Sequence, residues 1–352
     1  MKNKTAHNIK EILNITALWI LLTFFYVFIK FSDIPEHFIQ EIYGNGAGIE
    51  ISKIELYKIS FFVALPFGLV MGILYTTLYP VLYHRCSFIV NVAVRLAIFT
   101  SMSSLIFFIM SGFSAISPIL FANALGIFIY MLLTEIIVGI LILLRRDLGR
   151  NYFRNTVINT YHTPKEEQRV FMFLDMENST PTADKIGHLN YSRYIQDCFY
   201  DLSDIVLEHE GDIYQFVGDE AVITWKVTRK FRYEKCIELY FSYMDCLKRR
   251  QKYYLDKYGL SPVFKCAIHQ GKVSTALVGD YKKEIAYHGD VLNICSRLQS
   301  ACKKSAAYVI ISGDFYSSIV DHESYTYKSV NLNDLKGVDH EQEGLFVFKN
   351  SG

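Results

Sequence analysis

An excess of charge of either sign is missing from this sequence: 36 Lys+Arg stand against 35 Asp+Glu in 352 residues, a net charge of +1. That balance excludes a generally basic nucleic-acid binder. A CxxC pair is missing as well. The seven cysteines (Cys86, Cys198, Cys236, Cys246, Cys266, Cys295 and Cys302) form no even framework. This excludes a disulfide scaffold, argues against a zinc site, and reads as reduced thiols in a reducing compartment. The first apolar stretch lacks an A-x-A-like cleavage pattern and is too long for a signal-peptide core, so it reads as retained. What is abundant is apolar residue. Hydrophobic residues make up 51% against 20% charged, too apolar for a disordered chain. The mean hydropathy of +0.18 is high for a purely soluble enzyme. The length suits two compact units, and the apolar excess is concentrated before residue 145.

Four long apolar runs occupy that first part: Ile12–Ile29, Ile59–Tyr83, Leu96 to Ala115, and Ile119–Leu144. A helix needs about 20 apolar residues to cross the hydrocarbon of a bilayer. Only structures that satisfy their own backbone groups persist there, so the runs read as four transmembrane helices rather than buried core helices. Lys2, Lys4 and Lys10 precede the first run, Arg85 and Arg95 flank the second connection, and Arg145, Arg146, Arg150 and Arg154 follow the fourth. The first connection leans acidic and the third, Ser111–Pro118, carries no charge. An even number of spans with both termini on the cytoplasmic side fits this pattern. It predicts a multi-pass protein of the inner (plasma) membrane. Glu135 lies inside the fourth run, where a carboxylate must be paired or hydrated. Ser or Asn side chains of a neighbouring helix are the expected partners, with a sensing site in the bundle as the alternative.

Residues 145–167 read as a polar cytoplasmic linker in which Thr163-Pro164 ends a helix continuing from the fourth span. From Gln168 onward the pattern is α+β. Arg169–Leu174 is a short buried strand, followed by a helical apolar stripe over 183–209. Asp212–Val217 and Glu220–Trp225 flank Gly218-Asp219 and read as a tight hairpin. A long helix covers 233–258, strands cover 263–268 and 273–278, a third helix covers 291–302, and strands at 307–311 and 344–348 close the domain. The order strand–helix–strand–strand–helix–strand predicts a ferredoxin-like core. The predicted organisation is a four-helix transmembrane domain at 1–144, the linker, and a catalytic domain at 168–352.

Two carboxylates stand out. Asp175 follows the first strand and Asp219 sits at the hairpin tip. If that strand lies beside the hairpin, both emerge at one sheet edge. Two hard oxygen donors there suit Mg²⁺, which keeps waters and takes one or two carboxylates plus phosphate oxygens. The turn that follows, Met176-Glu-Asn-Ser-Thr180, leads into a helix whose first N–H groups can hold a phosphate. Singly, each Asp ends a strand or fills a turn; as a pair in this topology they point to metal chemistry.

The region 168–350 resembles the catalytic domain of class III nucleotidyl cyclases, the adenylate/guanylate cyclase family. The segments that carry the resemblance are Phe173-Leu-Asp-Met-Glu-Asn-Ser-Thr180, Gly211-Asp-Ile-Tyr-Gln-Phe-Val-Gly-Asp219, Gly289-Asp-Val-Leu-Asn-Ile-Cys-Ser-Arg297 and Leu335-Lys-Gly337. Four motifs in order over about half the chain are specific where any one is weak. The resemblance implies that Asp175 and Asp219, with the Met176 carbonyl, bind two metal ions, Mg²⁺ or Mn²⁺. It implies that Asn293 and Arg297 act at the transition state, and that Lys336 binds phosphate beside Asn178, Ser179 and Thr180. It further implies a head-to-tail homodimer in which the aspartates come from one chain and Asn293 and Arg297 from the other. Asn293 and Arg297 are four apart and share one helix face.

At the positions that read the base, adenylate-specific members carry Lys and Asp or Thr, and guanylate-specific members carry Glu and Cys; this chain has Gln215 and Ala286. Gln donates and accepts, so it can read several base edges. ATP is the expected substrate, with GTP or a pyrimidine triphosphate as alternatives. The expected partners are the triphosphate, the lipid bilayer and a second copy of the chain, with no nucleic acid. A membrane receptor with a degenerate, non-catalytic cyclase domain is the competing reading. Other patterns do not hold. His269–Thr275 has Cys266 where a P-loop needs Gly. The basic run Lys248–Lys252 reads as a solvated helix face near an anionic leaflet. Val217–Ala221 resembles the diguanylate cyclase hairpin, a family that lacks the Asn-x₃-Arg helix.

Overall fold

The computed structural model describes residues 2–41, 52–85, 88–111, 117–147, 160–280, 283–331 and 343–350. They divide into two compact units, Met1–Leu144 and Arg145–Gly352.

The first unit is helical: α1 (Lys2–Phe31), the short α2 (Glu36–Ile39), α3 (Lys53–Arg85), α4 (Phe88–Ser111) and α5 (Ser117–Asp147). Four segments are long and apolar enough to cross a membrane: Asn8–Phe31, Lys53–Tyr79, Val90–Ile109 and Leu125–Ile142. Their apolar residues lie on every side. Phe62 and Phe108 are 73% and 75% exposed, a surface suited to lipid and not to water. Inside the bundle, Trp19, Phe67, Met71 and Phe99 form a packed core. Gly68 and Gly72 let α3 approach α1 closely. A Cβ on either would lie 3.0 Å from the α1 backbone at Thr16 or Ile12, the small-xxx-small device of membrane helices.

One charge sits elsewhere than expected. Arg95 does not flank the second connection; it is buried within α4. Its Nη2 lies 3.0 Å from Glu135 Oε1 on α5 and donates to the Tyr75 hydroxyl of α3 at 2.7 Å. Tyr75 in turn donates to Glu135 at 2.7 Å. Glu135 is therefore held by a cation and a phenol, not by Ser or Asn. A carboxylate at this depth is tolerable once an opposite charge shares its burial.

The second unit is a mixed sheet with helices on both faces. Its elements are β1 (Lys165–Met176), α6 (Ser179–Ile186), α7 (His188–Glu208), β2 (Asp212–Val217), β3 (Glu220–Lys226), α8 (Glu234–Arg249), α9 (Gln251–Tyr258), β4 (Phe264–Val278), β5 (Glu284–His288), α10 (Asp290–Lys303), β6 (Val309–Ser312), α11 (Gly313–Tyr316), β7 (Tyr325–Asn331) and β8 (Glu343–Lys349). The sheet order is β2-β3-β1-β4-β6-β8-β7, with β5 paired to β4. The run β2-β3-β1-β4 is the order a ferredoxin-like β-α-β-β-α-β unit requires. β1 is central and buried on both faces. Val170, Met172 and Leu174 face the core formed with α7, α8 and α9. Phe171 and Phe173 face α10, against Val291, Cys295 and Leu298.

Several boundaries differ from expectation. Strand β1 runs from Lys165 to Met176, so Asp175 is its second-last residue, paired with Glu220 and Lys265, and does not follow the strand. The helix expected over 183–209 is two, broken at Gly187, whose φ of +78° ends α6. The helix expected over 233–258 breaks at Arg250. The two strands expected at 263–268 and 273–278 are one strand of 15 residues. The polar Gln270 passes through the sheet because its amide donates to Asp314 O at 2.7 Å. At Gly271 a Cβ would strike Val291 of α10. Strands β5 and β7 were not anticipated.

Candidate active site

The site begins with the pairing of β1 and β3. Asp175 stands opposite Glu220, and Asp219 precedes Glu220 in the two-residue turn Gly218-Asp219. Gly218 has φ +62°, the left-handed conformation that such a tight hairpin needs. The two expected carboxylates therefore meet at one rim, and the Asp219 carboxyl is within hydrogen-bonding reach of Asp175. Asp175 is only 2% exposed. Burial drives its carboxyl above the ordinary aspartate range; the Lys303 ammonium in contact with Oδ2 pulls the other way, and the nearby Asp219 adds to the rise. Burial, and then the charge of Asp175, push Glu220 up to about 7.

The turn after β1 leads directly into α6. Met176 closes β1, and its neighbour Glu177 donates its N–H to Val263 O at 2.9 Å. Asn178 is the N-cap residue of α6 with φ +56°. The helix's first internal bond of this turn is Thr182 N–H to Asn178 O at 3.0 Å. Pro181 has no N–H, which leaves the Ser179 and Thr180 N–H groups as the first-turn donors. A cavity of about 300 Å³ borders this turn, lined by Met176, Asn178, Thr182 and Lys185 among others.

Asn293 and Arg297 lie on α10, Asn293 exposed and Arg297 half-buried. Neither side chain makes a hydrogen bond or ion pair among the described residues. The helix runs along β1 and β4 with its C-terminal end at the carboxylate rim: Cys295 Sγ reaches Phe171 O at 3.5 Å and Gln299 Nε2 reaches Lys265 O at 3.0 Å. Asn293 is ten residues before Lys303, or ~15 Å along the helix, and Arg297 is ~9 Å away. One chain thus brings Asp175 and Asp219 together with Lys303, and places Asn293 and Arg297 about three and two turns back along α10 from that lysine. Lys336 lies outside the described residues.

The two base positions lie on different strands. Gln215 is exposed and pairs with Val222, after a bulge between Ile213 and Gln215. Ala286 is half-buried and pairs with Ala276. Their neighbours touch: the Tyr214 and Tyr287 rings meet edge to face at 4.9 Å. The bulge puts Tyr214 and Gln215 on the same side of β2, since Tyr214 packs with the α10-side core to which Val222 also belongs.

Among the described residues no three His, Cys, Asp or Glu side chains gather as a metal cage. The donor set nevertheless fits a divalent cation. Two carboxylates at a rim leave room for the waters and phosphate oxygens that Mg²⁺ retains, and the buried Asp175 already holds a cation, the Lys303 ammonium. Sequence reasoning missed Lys303, Glu220 and Lys265. Nothing local marks Lys303, because its meeting with Asp175 depends on where α10 crosses the sheet.

Residues 161–349 match the adenylate and guanylate cyclase catalytic domain family, more than half of the chain, and the protein belongs to that family. It is 32% identical over 191 residues to adenylate cyclase 2 of Rhizobium meliloti (strain 1021), a match covering 54% of this chain and 53% of that protein. The chain thus spans about half the length of this curated relative. Among solved structures, a bacterial light-regulated adenylyl cyclase aligns with TM-score 0.51 and 13% identity, covering 61% of this chain and 62% of that one. The adenylyl cyclase CyaB from P. aeruginosa aligns with TM-score 0.48 and 17% identity, covering 54% and 97%.

Proposed function

We propose that the chain is a membrane-anchored nucleotidyl cyclase that converts ATP to 3′,5′-cyclic AMP and pyrophosphate at the interface of a homodimer, for intracellular signalling. The anchor is the four apolar helices at 1–144. Residues 145–167 link it to a catalytic domain at 168–352, with both termini on the cytoplasmic side of the plasma membrane. The observation that carries the reading is the meeting of Asp175 and Asp219 at one rim, with Asn293 and Arg297 of the same chain further back along α10.

The reaction joins the ribose 3′-oxygen to the α-phosphorus, releases the 3′-hydroxyl proton to water, and breaks the α–β phosphoanhydride bond, with pyrophosphate leaving. Mg²⁺ or Mn²⁺, two per site, would be held by Asp175, Asp219 and the Met176 carbonyl, and would lower the charge on the attacking and leaving oxygens. The chain's own residues do the rest. The Ser179 and Thr180 N–H groups, behind Asn178, receive the terminal phosphates with Lys336. Arg297 of the opposite protomer supplies a fixed cation for charge that spreads onto the phosphate oxygens. Asn293, one helical turn away, holds the ribose by hydrogen bonds. Gln215 and Ala286 face the base. An isolated protomer lacks half of this set, so dimerisation is part of the catalytic machinery.

The test is the purified full-length protein in detergent, given Mg²⁺ or Mn²⁺ and each of ATP, GTP, CTP and UTP. Cyclic AMP as the dominant product supports the proposal. Dominance of another cyclic nucleotide reassigns the base while keeping the cyclase. No cyclic product from a verified dimer makes the chain a nucleotide-binding receptor.

A further inference from the structure

The cation already at Asp175 carries a consequence for the resting site. Lys303 occupies the last turn of α10, where an ammonium is favoured by the helix dipole. The helix end is fixed from below by a second lysine. Lys265, the cross-strand partner of Asp175, is buried and donates to Ser305 O at 2.6 Å and to Cys302 O and Lys303 O at 3.4 Å. It also pairs with Glu177 at 3.2 Å. Gln299 bonds back to the Lys265 carbonyl at 3.0 Å. The Lys303 backbone is thus held beside the rim by contacts that do not involve its own ammonium.

The two partners of the Lys303–Asp175 pair are unequal. The Lys303 side chain is 53% exposed and that of Asp175 is 3%. The lysine can swing into water at little cost. The buried carboxylate cannot lose its counter-ion without leaving a charge unpaired in the interior. A divalent cation on Asp175 would be bound by the same carboxylate at about 2.1 Å and would stand close to the ammonium, so metal and ammonium compete for that carboxylate's charge.

We propose that Lys303 is a resident counter-cation of the catalytic rim. It holds Asp175 in place in the metal-free protein and must be displaced by the incoming divalent ion. The proposal rests on the reading of Asp175 as a metal ligand. Its effect is to weaken metal binding to the empty site. Metal then enters with the triphosphate, whose phosphate oxygens add ligands that Lys303 does not compete for.

The experiment measures Mn²⁺ binding without nucleotide, by the electron paramagnetic resonance signal of free Mn²⁺, on the full-length protein in detergent. Wild type, Lys303→Gln, Lys303→Arg and Asp175→Asn are compared. Lys303→Gln is expected to bind Mn²⁺ about tenfold more tightly than wild type, because the competing charge is gone. Lys303→Arg keeps a cation and is expected to bind no more tightly than wild type. Asp175→Asn is expected to lose the rim binding. Thermal melting adds an independent reading: metal-free Lys303→Gln melts below wild type, and saturating Mn²⁺ closes the gap. If Lys303→Gln binds Mn²⁺ no more tightly than wild type while Asp175→Asn still abolishes binding, the role of Lys303 fails and the metal site stands. If Asp175→Asn retains Mn²⁺, both readings fall.

Discussion

The Arg95 guanidinium lies 3.0 Å from the Glu135 carboxylate, both buried in the helical unit. With Tyr75 the pair ties α3, α4 and α5 at one level. Gly139, one turn beyond Glu135 on α5, makes the room: a Cβ there would overlap the guanidinium. Breaking a buried ion pair from one side leaves an uncompensated charge and costs about 3–5 kcal/mol. Glu135→Met or Arg95→Met alone should therefore lower stability in detergent by that order, and the double Arg95→Met, Glu135→Met variant should recover most of it. A double variant as unstable as the sum of the singles would show that the two side chains act separately.

Asp219 sits at the hairpin tip, half-buried, where substitution removes a carboxylate without opening the core. Asp219→Ala should lower cyclase turnover by more than about 100-fold, above the range for residues that merely orient a metal ligand. Circular dichroism and melting temperature should stay close to wild type. Turnover near wild type would remove Asp219 from the metal site.

If Asn293 and Arg297 serve the carboxylates of the opposite protomer, as proposed, defects on the two sides should complement. Asp219→Ala and Asn293→Ala, each nearly inactive alone, should regain up to about a quarter of wild-type activity when co-expressed. Random pairing makes half the dimers mixed, each with one intact site of two. Lack of any recovery, with mixed dimers verified by differential tagging, would mean that each site is built within one chain.

His269 on β4 is 2% exposed, and its Nδ1 lies 2.7 Å from Ser312 Oγ, the hydroxyl that caps α11 by accepting the Phe315 N–H at 3.1 Å. Burial lowers its pKa from 6.5 to about 4. Between those values the unfolded chain takes up a proton that the folded one does not. Stability from this group is therefore complete above pH 6.5 and falls as the pH drops towards 4, by on the order of 3 kcal/mol. Urea titrations at pH 7.5 and 5 should show that slope flatten in His269→Gln. An equal slope in both proteins would rule His269 out as its source.

Much of this protein was legible along the chain because the signals are local. The apolar runs need no partner to be recognised: their length and lack of charge decide the solvent they suit. The hairpin around Gly218-Asp219 is written in two alternating strands and a glycine that takes φ +62°. Together with the end of β1, it brings Asp175 and Asp219 to one edge on the condition that β1 lies beside the hairpin, a pairing that the fold supplies. Strand β4 looks like two strands along the chain because Gln270 is polar in isolation, and the Asp314 carbonyl that satisfies it is distant in sequence.

The remainder belongs to the tertiary structure. That Arg95 is a core residue and not a loop charge follows only from Glu135 arriving beside it. That a lysine guards Asp175 follows only from the path of α10 across the sheet and from Lys265 fixing its end. Sequence by itself determined which segments are apolar, which turn tightly and which residue types are present for chemistry, since these depend on neighbours a few positions away. Which charges neutralise one another was decided by folding, because the energy of a buried charge depends on what surrounds it in space.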